Sequence, residues 1–283
     1  MLTTPIIDPI VENALREDLA GGDLSAEACV DEGRRASAVA LAKSPVVVCG
    51  AAVFRRVFEL LDTSVRFEAL VPDGEKVPAK TVIWRLEGPA RILLMGERTA
   101  LNLVQRMSGT ATLARACVDA VPRGAKTRIT DTRKTTPGMR VLDRYAVRIG
   151  GAHNHRNDLG SAVMIKDNHI VASGGITVAI ERARARAPHT SRVEVEVTDL
   201  EQLDEAVRAR ADIVMLDNFD DELTKRAVEK VRTLAHPPIL EASGGITLER
   251  IARLAAIGVD VISVGALTHS APAADISLDL SIS

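Results

Sequence analysis

Residues 193–218 read VEVEVTDLEQLDEAVRARADIVMLDN. Val193, Val195 and Val197 alternate with Glu194 and Glu196, which predicts a strand over Val193–Val197. A helical pattern follows over Leu200–Arg210, then a second, apolar strand over Asp212–Leu216 that ends in Asp217. The same alternation extends in both directions from Ala125 onward. Strands are expected at Thr127–Asp131, Ala162–Lys166, Ile239–Ala242 and Val261–Val264, and helices at Thr177–Ala187, Asp221–Leu234 and Thr247–Ile257. Strand–helix alternation of this kind indicates a parallel α/β architecture, satisfied equally by a barrel or an open doubly wound sheet.

The special residues fall on that pattern in one way. Arg133–Lys134, Lys166, Glu196, Asp217, Ser243–Gly245 and Gly265 each lie at or just beyond the C-terminal end of an expected strand. In a (β/α) barrel that rim carries the active site. Within Val193–Val197 the valines share one face and the glutamates the other. If the valines face the helices, both carboxylates point inward and need counter-charges, since a buried unpaired carboxylate is costly. Lys134, Lys166 or a Mg²⁺ shared with a ligand phosphate would serve. An edge strand with both glutamates in water is the alternative. For Asp217 a helix N-cap is the modest alternative.

Eight cations and three histidines crowd into RITDTRKTTPGMRVLDRYAVRIGGAHNHRNDLGSAVMIKDNHI at 128–170, although the chain has a net charge of −2. Arginine forks, lysine point charges and imidazoles together suit a polyanion bearing carboxylates and phosphates. The row Arg140, Arg144, Arg148 reads instead as the solvated face of a helix over Pro137–Ile149. His155 beside Arg156 reads as a donor pair for a carboxylate, and His153 as a structural loop residue. Nothing at zinc spacing completes a metal site with either. The hexapeptide ASGGIT occurs at 172–177 and again at 242–247. Gly-Gly turns at helix starts make anion sites. The second copy follows a clean strand and suits a phosphate; the first reads as a capped loop.

Before Ala125 the pattern differs. Helices are expected at Asp8–Leu19 and Ala51–Leu61, with strands at Ala36–Lys43, Val46–Cys49, Val65–Leu70 and Thr81–Leu86. Glu97–Val121 reads as a long helix broken near Ser108–Gly109. This irregular order suggests a separate α+β module. The turn DGEKV at 73–77 lacks the flanks of a lipoyl or biotin site, so Lys76 reads as an ordinary turn lysine. Hydrophobic residues form 46% of the chain but aromatics only 2%, leaving no platform for base stacking. Cys29, Cys49 and Cys117 have no disulfide or zinc spacing. With neither a signal peptide nor a membrane span, the expectation is a soluble cytoplasmic protein.

Taken together, the segments LREDLAGGDLS, GERTALNLVQRMSGTAT, DTRKTTPGMR, YAVRIGG, NHR, IKDNHI, VEVEV, IVMLDN, EASGGI and GVDVISVGALTHSAPAADISLDL closely resemble the quinolinate phosphoribosyltransferases, the carboxylating nicotinate-nucleotide pyrophosphorylases. The resemblance runs nearly end to end. It implies an N-terminal α/β sandwich domain over 1–112, rejoined by 271–283, and an incomplete, open TIM-like α/β barrel over 113–270. It implies transfer of phosphoribosyl from phosphoribosyl pyrophosphate to quinolinate, with Mg²⁺ and loss of CO₂, giving nicotinate mononucleotide for NAD biosynthesis. Arg133, His155, Arg156 and a partner subunit's Arg98 would hold the quinolinate carboxylates, beside Thr132 in the same motif. Lys134 and Lys166 would lie between the substrates. Glu196 and Asp217 would bind ribose hydroxyls or Mg²⁺, and Ser243, Gly244, Gly245, Gly265 and Ala266 would hold phosphate. A homodimer at least is implied. The sequence departs from the family pattern at Ala152 and Asp158, where glycines are expected, and at Ser161, where an aspartate is; Pro45 and Thr110 also differ.

Other readings compete. A molybdenum-locus paralogue would lack the NHR and IKDNH pair, and a nicotinate phosphoribosyltransferase would release no CO₂. A Schiff-base aldolase would use Lys166 as a free amine. A sugar-phosphate sensor would bind without turnover.

Overall fold

The computed structural model describes residues 2–282. Along the chain come α1 (Thr4–Asp18), α2 (Leu24–Cys29), β1 (Arg35–Ala42), β2 (Val46–Val47), α3 (Ala51–Leu61), β3 (Arg66–Ala69), β4 (Lys76–Val77), β5 (Thr81–Pro89) and α4 (Ala90–Asp119). Then follow β6 (Arg128–Thr130), α5 (Arg140–Ile149), β7 (Val163–Ile165), α6 (Asp167–Ser173), α7 (Ile176–Arg186), β8 (Val193–Val197), α8 (Leu200–Arg208) and β9 (Ile213–Asp217). The last elements are α9 (Asp221–Arg232), β10 (Ile239–Ser243), α10 (Leu248–Ile257), β11 (Val261–Ser263), α11 (Ala266–His269) and β12 (Ile276–Ile282). Among the described residues no helix is long and apolar enough to cross a membrane. The chain divides into two units: Met1–Arg115 with Thr135–Gly151 and Leu267–Ser283, and Ala116–Lys134 with Ala152–Ala266.

The first unit is built on an antiparallel sheet of order β12-β1-β5-β3, in which the C-terminal strand pairs with β1 from Ala36 opposite Ile282 to Ala42 opposite Ile276. Of the chain's six aromatics all but Phe219 lie in this unit. Phe54 lies 4.7 Å from Trp84 and 5.2 Å from Phe58, ring centre to ring centre. Val53, Phe54, Val57 and Phe58 are the buried stripe of α3. The start of that helix is capped from a distance: Gly50 N and Ala51 N donate to the Asp73 carboxylate at 3.0 and 3.1 Å, and Tyr145 Oη donates to it at 2.8 Å. The DGEKV turn therefore serves as a helix cap, and Lys76 sits exposed in β4. Helix α5 also belongs to this unit, tied down by an ion pair from Arg106 to its buried Asp143 at 3.0 Å.

Helix α4 runs unbroken for 30 residues, contrary to the break expected at Ser108–Gly109. Both residues are there for contact rather than for a bend. Ser108 Oγ accepts from Cys49 N and donates to Cys49 O, each at 3.1 Å. A Cβ on Gly109 would stand 1.9 Å from Pro272 O, because the C-terminal segment crosses the helix there. Gln105 secures the crossing, its side chain donating to Ile276 O at 2.7 Å and its carbonyl accepting from Ala274 N at 2.8 Å.

The second unit is a six-stranded, wholly parallel sheet of order β6-β11-β10-β9-β8-β7, with β6 and β7 at its two edges. The curved sheet is thus an open barrel, and of the two architectures the alternation allowed, the barrel without closure is the one adopted. Val193, Val195 and Val197 are at most 1% exposed and Glu194 3%, so Glu194 does not face water, while Glu196 is half-buried. The helices begin on side-chain caps: Asp199 accepts from Gln202 N, Asp220 from Leu223 N and Thr247 from Arg250 N. Asp220, not Asp217, caps α9. The two ASGGIT copies adopt different structures. In the first, Ala172 and Ser173 end α6 and Gly174, at φ 93°, stops it; in the second, Ala242 and Ser243 end a strand. The first copy is therefore a junction between two helices rather than a loop after a strand.

Replacing Gly109 by alanine drives a methyl into a backbone carbonyl that cannot retreat without unpairing the C-terminal strand. The expected loss is about 3 kcal/mol or more, the upper end for overpacking. Urea unfolding of the variant beside the unaltered chain measures it.

Candidate active site

The C-terminal ends of all six parallel strands open into one cavity of about 470 Å³. Thr132, Arg133 and Lys134 follow β6, Met164 and Lys166 come from β7, Glu196 from β8, Met215 and Asp217 with Asn218 from β9, Ser243 and Gly244 from β10, and Ser263 from β11. His155 and Arg156 reach in from the loop that leads to β7. The residues at the strand tips, expected at one rim, do converge. Gly245 lies in an adjoining depression with Arg250 and Arg253. Gly265 and Ala266 follow β11 but do not line the cavity, and Arg98 is exposed on α4 in the first unit. None of Arg140, Arg144 and Arg148 lines it, as their reading as a helix face requires. The lining residues not foreseen, Met164, Met215, Asn218 and Ser263, carry no signal of their own; they follow from inward-facing positions on the strands.

Charge within the cavity is partly offset, with Arg133, Lys134, Arg156 and Lys166 set against Glu196 and Asp217. Lys166 Nζ lies 2.5 Å from Glu196 Oε2. That pairing uses the lysine as an ammonium, which argues against a free amine for Schiff-base chemistry. Burial, and then the negative Glu196, push the Asp217 carboxyl above its ordinary range, while Lys166 and Lys134 oppose the shift. A carboxylate raised in this way by a negative neighbour invites a cation or a hydroxyl donor beside it. Arg156 has its proton affinity lowered by burial and by Arg133. Arg133 Nε is buried and has no hydrogen-bond partner among the described residues. A buried guanidinium N–H without an acceptor calls for an anionic ligand.

The tips of β9 and β10 are clasped. Asn218, in the left-handed region at φ 55°, donates from its backbone N to Ser243 O at 2.9 Å and from Nδ2 to Asp217 Oδ2 at 2.8 Å. Gly244 lies against it so closely that a Cβ would sit 2.1 Å from Asn218 Oδ1. At φ 92° Gly244 is also in a conformation that side chains rarely take.

The loop carrying His155 is held from below by residues that sequence reasoning missed. Asp131, fully buried, accepts from His155 N at 2.6 Å and from Asn154 Nδ2 at 2.7 Å. His155 Nε2 stands 3.3 Å from Glu194 Oε2 and 3.5 Å from Glu241 Oε1, both carboxylates being 3% exposed. Its Nδ1 accepts from Arg156 N at 2.7 Å. Burial lowers the proton affinity of the imidazole, but Glu194 and Glu241 outweigh it and push the pKa up to about 10. Burial raises the Glu194 carboxyl as well. These facts compete over Nδ1, and the contact from Arg156 N–H decides: it needs a lone pair there, so the ring is assigned its proton at Nε2. The ligand atoms of His155, Glu194 and Glu241 lie within 4.8 Å of one another, close enough to hold a metal ion. A metal-bound imidazole donates its other N–H, however, and here that nitrogen accepts. The only hint of Glu241 in the sequence is a carboxylate inside the apolar strand ILEAS.

Removing Asp131 leaves two donors unsatisfied, one of them a backbone N–H. Asp131→Ala is expected to cost about 2–6 kcal/mol, at roughly 1–3 for each orphaned group. Chemical denaturation checks the value.

Residues 23–108 match the family profile "Quinolinate phosphoribosyl transferase, N-terminal domain" and residues 110–279 the C-terminal one. The chain is 43% identical over 276 residues to the probable nicotinate-nucleotide pyrophosphorylase [carboxylating] of Synechocystis sp., covering 97% of this chain and 92% of that protein. It is 41% identical over 283 residues to the human nicotinate-nucleotide pyrophosphorylase [carboxylating], covering 99% and 94%. The crystal structure of NadC from Streptococcus pyogenes superposes with a TM-score of 0.94 at 40% identity, covering 100% of this chain and 99% of the other. Human nicotinic acid phosphoribosyltransferase shares the fold alone, with a TM-score of 0.63 at 15% identity. Matches to both domains, over almost all of each relative, make this chain a member of the quinolinate phosphoribosyl transferase family.

Proposed function

We propose that the protein transfers phosphoribosyl from phosphoribosyl pyrophosphate to quinolinate, releasing pyrophosphate and CO₂ and leaving nicotinate mononucleotide, a step of NAD biosynthesis. The observation that carries this reading is the single cavity in which Arg133, Lys134, Arg156 and Lys166 face Glu196 and Asp217. Two multiply charged anions need the cations; an electron-poor sugar carbon needs the carboxylates.

In the reaction the pyridine nitrogen bonds to the anomeric carbon as the bond to pyrophosphate breaks. Positive charge builds on the ribose, where Glu196 and Asp217 offset it. Arg133 and Arg156 hold the carboxylates of quinolinate, with His155 beside them. Lys134 and Lys166 lie between the two substrates. Once the nitrogen is quaternary, the carbon–carbon bond to the adjacent carboxylate breaks, CO₂ leaves, and the electron pair stays on the ring carbon next to the cationic nitrogen. A proton then takes that position. Ser243 and Gly244, beside Gly245, lie where a phosphate would sit; Gly265 and Ala266, outside the cavity lining, take a supporting place after β11.

Mg²⁺ fits the residues present, because Asp217 and Glu196 place two carboxylates, the hard oxygen donors it prefers, on one cavity wall. When bound by them, directly or through water, it would offset the charge of the departing pyrophosphate. The exposed Arg98 on α4 suits a role in the partner subunit's cavity, so the working unit is at least a homodimer. The free thiols Cys29, Cys49 and Cys117 suit the reducing cytoplasm.

Incubation with quinolinate, phosphoribosyl pyrophosphate and Mg²⁺ is expected to give equal amounts of CO₂ and nicotinate mononucleotide, and chelation is expected to stop both. Binding of phosphoribosyl pyrophosphate without turnover would instead favour a sensor. Each charge-assisted contact is worth about 1.5–3 kcal/mol, so Arg133→Ala and Arg156→Ala are each expected to weaken quinolinate binding roughly tenfold to a hundredfold. Calorimetry with quinolinate alone reads this. Gly244→Ala, which drives a methyl against Asn218, is expected to raise the KM for phosphoribosyl pyrophosphate at least about tenfold, that is about 1.4 kcal/mol.

A further inference from the structure

The geometry points to Glu241, with Glu194, as a positioning residue for the quinolinate end of the cavity: from beneath the cavity floor it grips His155, and through His155 it sets where Arg156 stands. This rests on the reading above that Arg156 takes a substrate carboxylate.

Neither glutamate lines the cavity, and each is 3% exposed. What they approach is the imidazole, at 3.3 Å from Glu194 and 3.5 Å from Glu241; Glu241 Oε1 is buried with no hydrogen bond among the described residues, and the ring nitrogen is the donor it faces. Both ring nitrogens are thereby engaged inside the protein: Nε2 toward the two carboxylates, Nδ1 by the amide of Arg156 at 2.7 Å. The ring is a strut between the interior of the sheet and the backbone of Arg156. The floor that holds it is rigid, because Glu194 and Glu241 lie on β8 and β10, and each pairs in register with a residue of β9. Asp131 fixes the other side of the same residue through His155 N at 2.6 Å. Held at ring and backbone, His155 leaves the next residue little freedom in its φ, and the Arg156 side chain departs from a set point. Its Nη1 then donates to Ala162 O at 3.2 Å.

Simple electrostatics makes the opposite forecast. Two buried carboxylates under an anion site repel the anion, so neutralising one would tighten binding. If the glutamate serves as an acceptor that holds the ring, a neutral acceptor of the same shape will serve almost as well, and loss of the acceptor will loosen binding.

The test is steady-state kinetics of Glu241→Ala, Glu241→Gln, His155→Ala and the double variant Glu241→Ala/His155→Ala. Wild-type turnover to CO₂ and nicotinate mononucleotide is measured first, so that failure of the activity itself is seen separately. Glu241→Ala is expected to raise the KM for quinolinate at least tenfold and to leave that for phosphoribosyl pyrophosphate within twofold. Glu241→Gln is expected to restore quinolinate KM to within threefold of wild type. The double variant is expected to be no worse than His155→Ala alone, since Glu241 acts through the ring. Full additivity, equal losses toward both substrates, an unchanged quinolinate KM in Glu241→Ala, or a glutamine variant that binds more tightly than wild type or as poorly as the alanine variant would each overturn the proposal. Should Glu241→Ala not fold, His155→Gln, which keeps a donor toward the carboxylates and vacates Nδ1, carries the test. It is expected to show the same one-sided loss for quinolinate, and a loss shared by both substrates overturns the proposal.

Discussion

Like charges repel, and this molecule gathers Arg133, Lys134, Arg156 and Lys166 around one cavity. The carboxylates built into the strands below make that arrangement compatible with a folded chain. Lys166 is paired with Glu196 at 2.5 Å. Arg156, opposed by Arg133, is supported by Glu194. Strand β8 supplies two of these anions from alternate positions, 194 and 196, one toward the buried floor and one toward the opening. A cationic pocket of this kind is preorganised for an anion at the cost of buried acid groups, and the rigid parallel sheet keeps the two sets of charges in register.

Much of this was legible because parallel strands deliver their C-terminal ends to one side, whatever residues they carry. Once VEVEV and IVMLDN were read as strands, Glu196 and Asp217 had to share a rim with Lys166 and Arg133. Bounds of the parallel strands shifted by a residue or so, as they do where a strand frays into a loop, while α1 and α4 start four and seven residues earlier than expected. Expectations failed where a residue's meaning lies in a distant partner. Gly109 looks like a helix breaker, but its freedom is spent on the crossing of Pro272, 163 positions later in the chain. Asp73 looks like a turn residue and caps a helix that starts 22 positions before it. ASGGIT takes two structures because a helix precedes one copy and a strand the other.

The floor of the cavity was the least legible part. Asp131, Glu194 and Glu241 are separated by 63 and 47 positions; each stands in a segment that carries the family resemblance, DTRKTTPGMR, VEVEV and EASGGI, but no spacing rule links the three. Glu194 was expected to face inward, but toward a lysine or a metal; it meets His155 instead. Spacing rules find metal and catalytic sets because their ligands often share a helix or a turn. A set formed across β8, β10 and an intervening loop has no such signature. Its one trace is that a carboxylate stands in an apolar strand, a position that stability alone would fill with valine or isoleucine.

The same anchoring accounts for the departures from the family pattern between Ala152 and Ser161. Asp158 and Ser161 close the turn with bonds of their own: Ser161 Oγ accepts from Asn157 N at 2.9 Å and from Asp158 N at 3.2 Å, and Asp158 Oδ1 accepts from Gly160 N at 2.9 Å. Asp158 thus does by side-chain bonding what a glycine does by backbone freedom, and Ser161 supplies the oxygen acceptor that an aspartate would. Ala152, 5% exposed, fits beneath the loop without a polar group to satisfy. None of the three lines the cavity. His155 and Arg156 are fixed upstream of the altered turn by Asp131, Glu194 and Glu241, and downstream by the carbonyl of Ala162. With both ends of the loop anchored to the sheet, its exposed middle is free to change sequence while the residues facing the substrate keep their places.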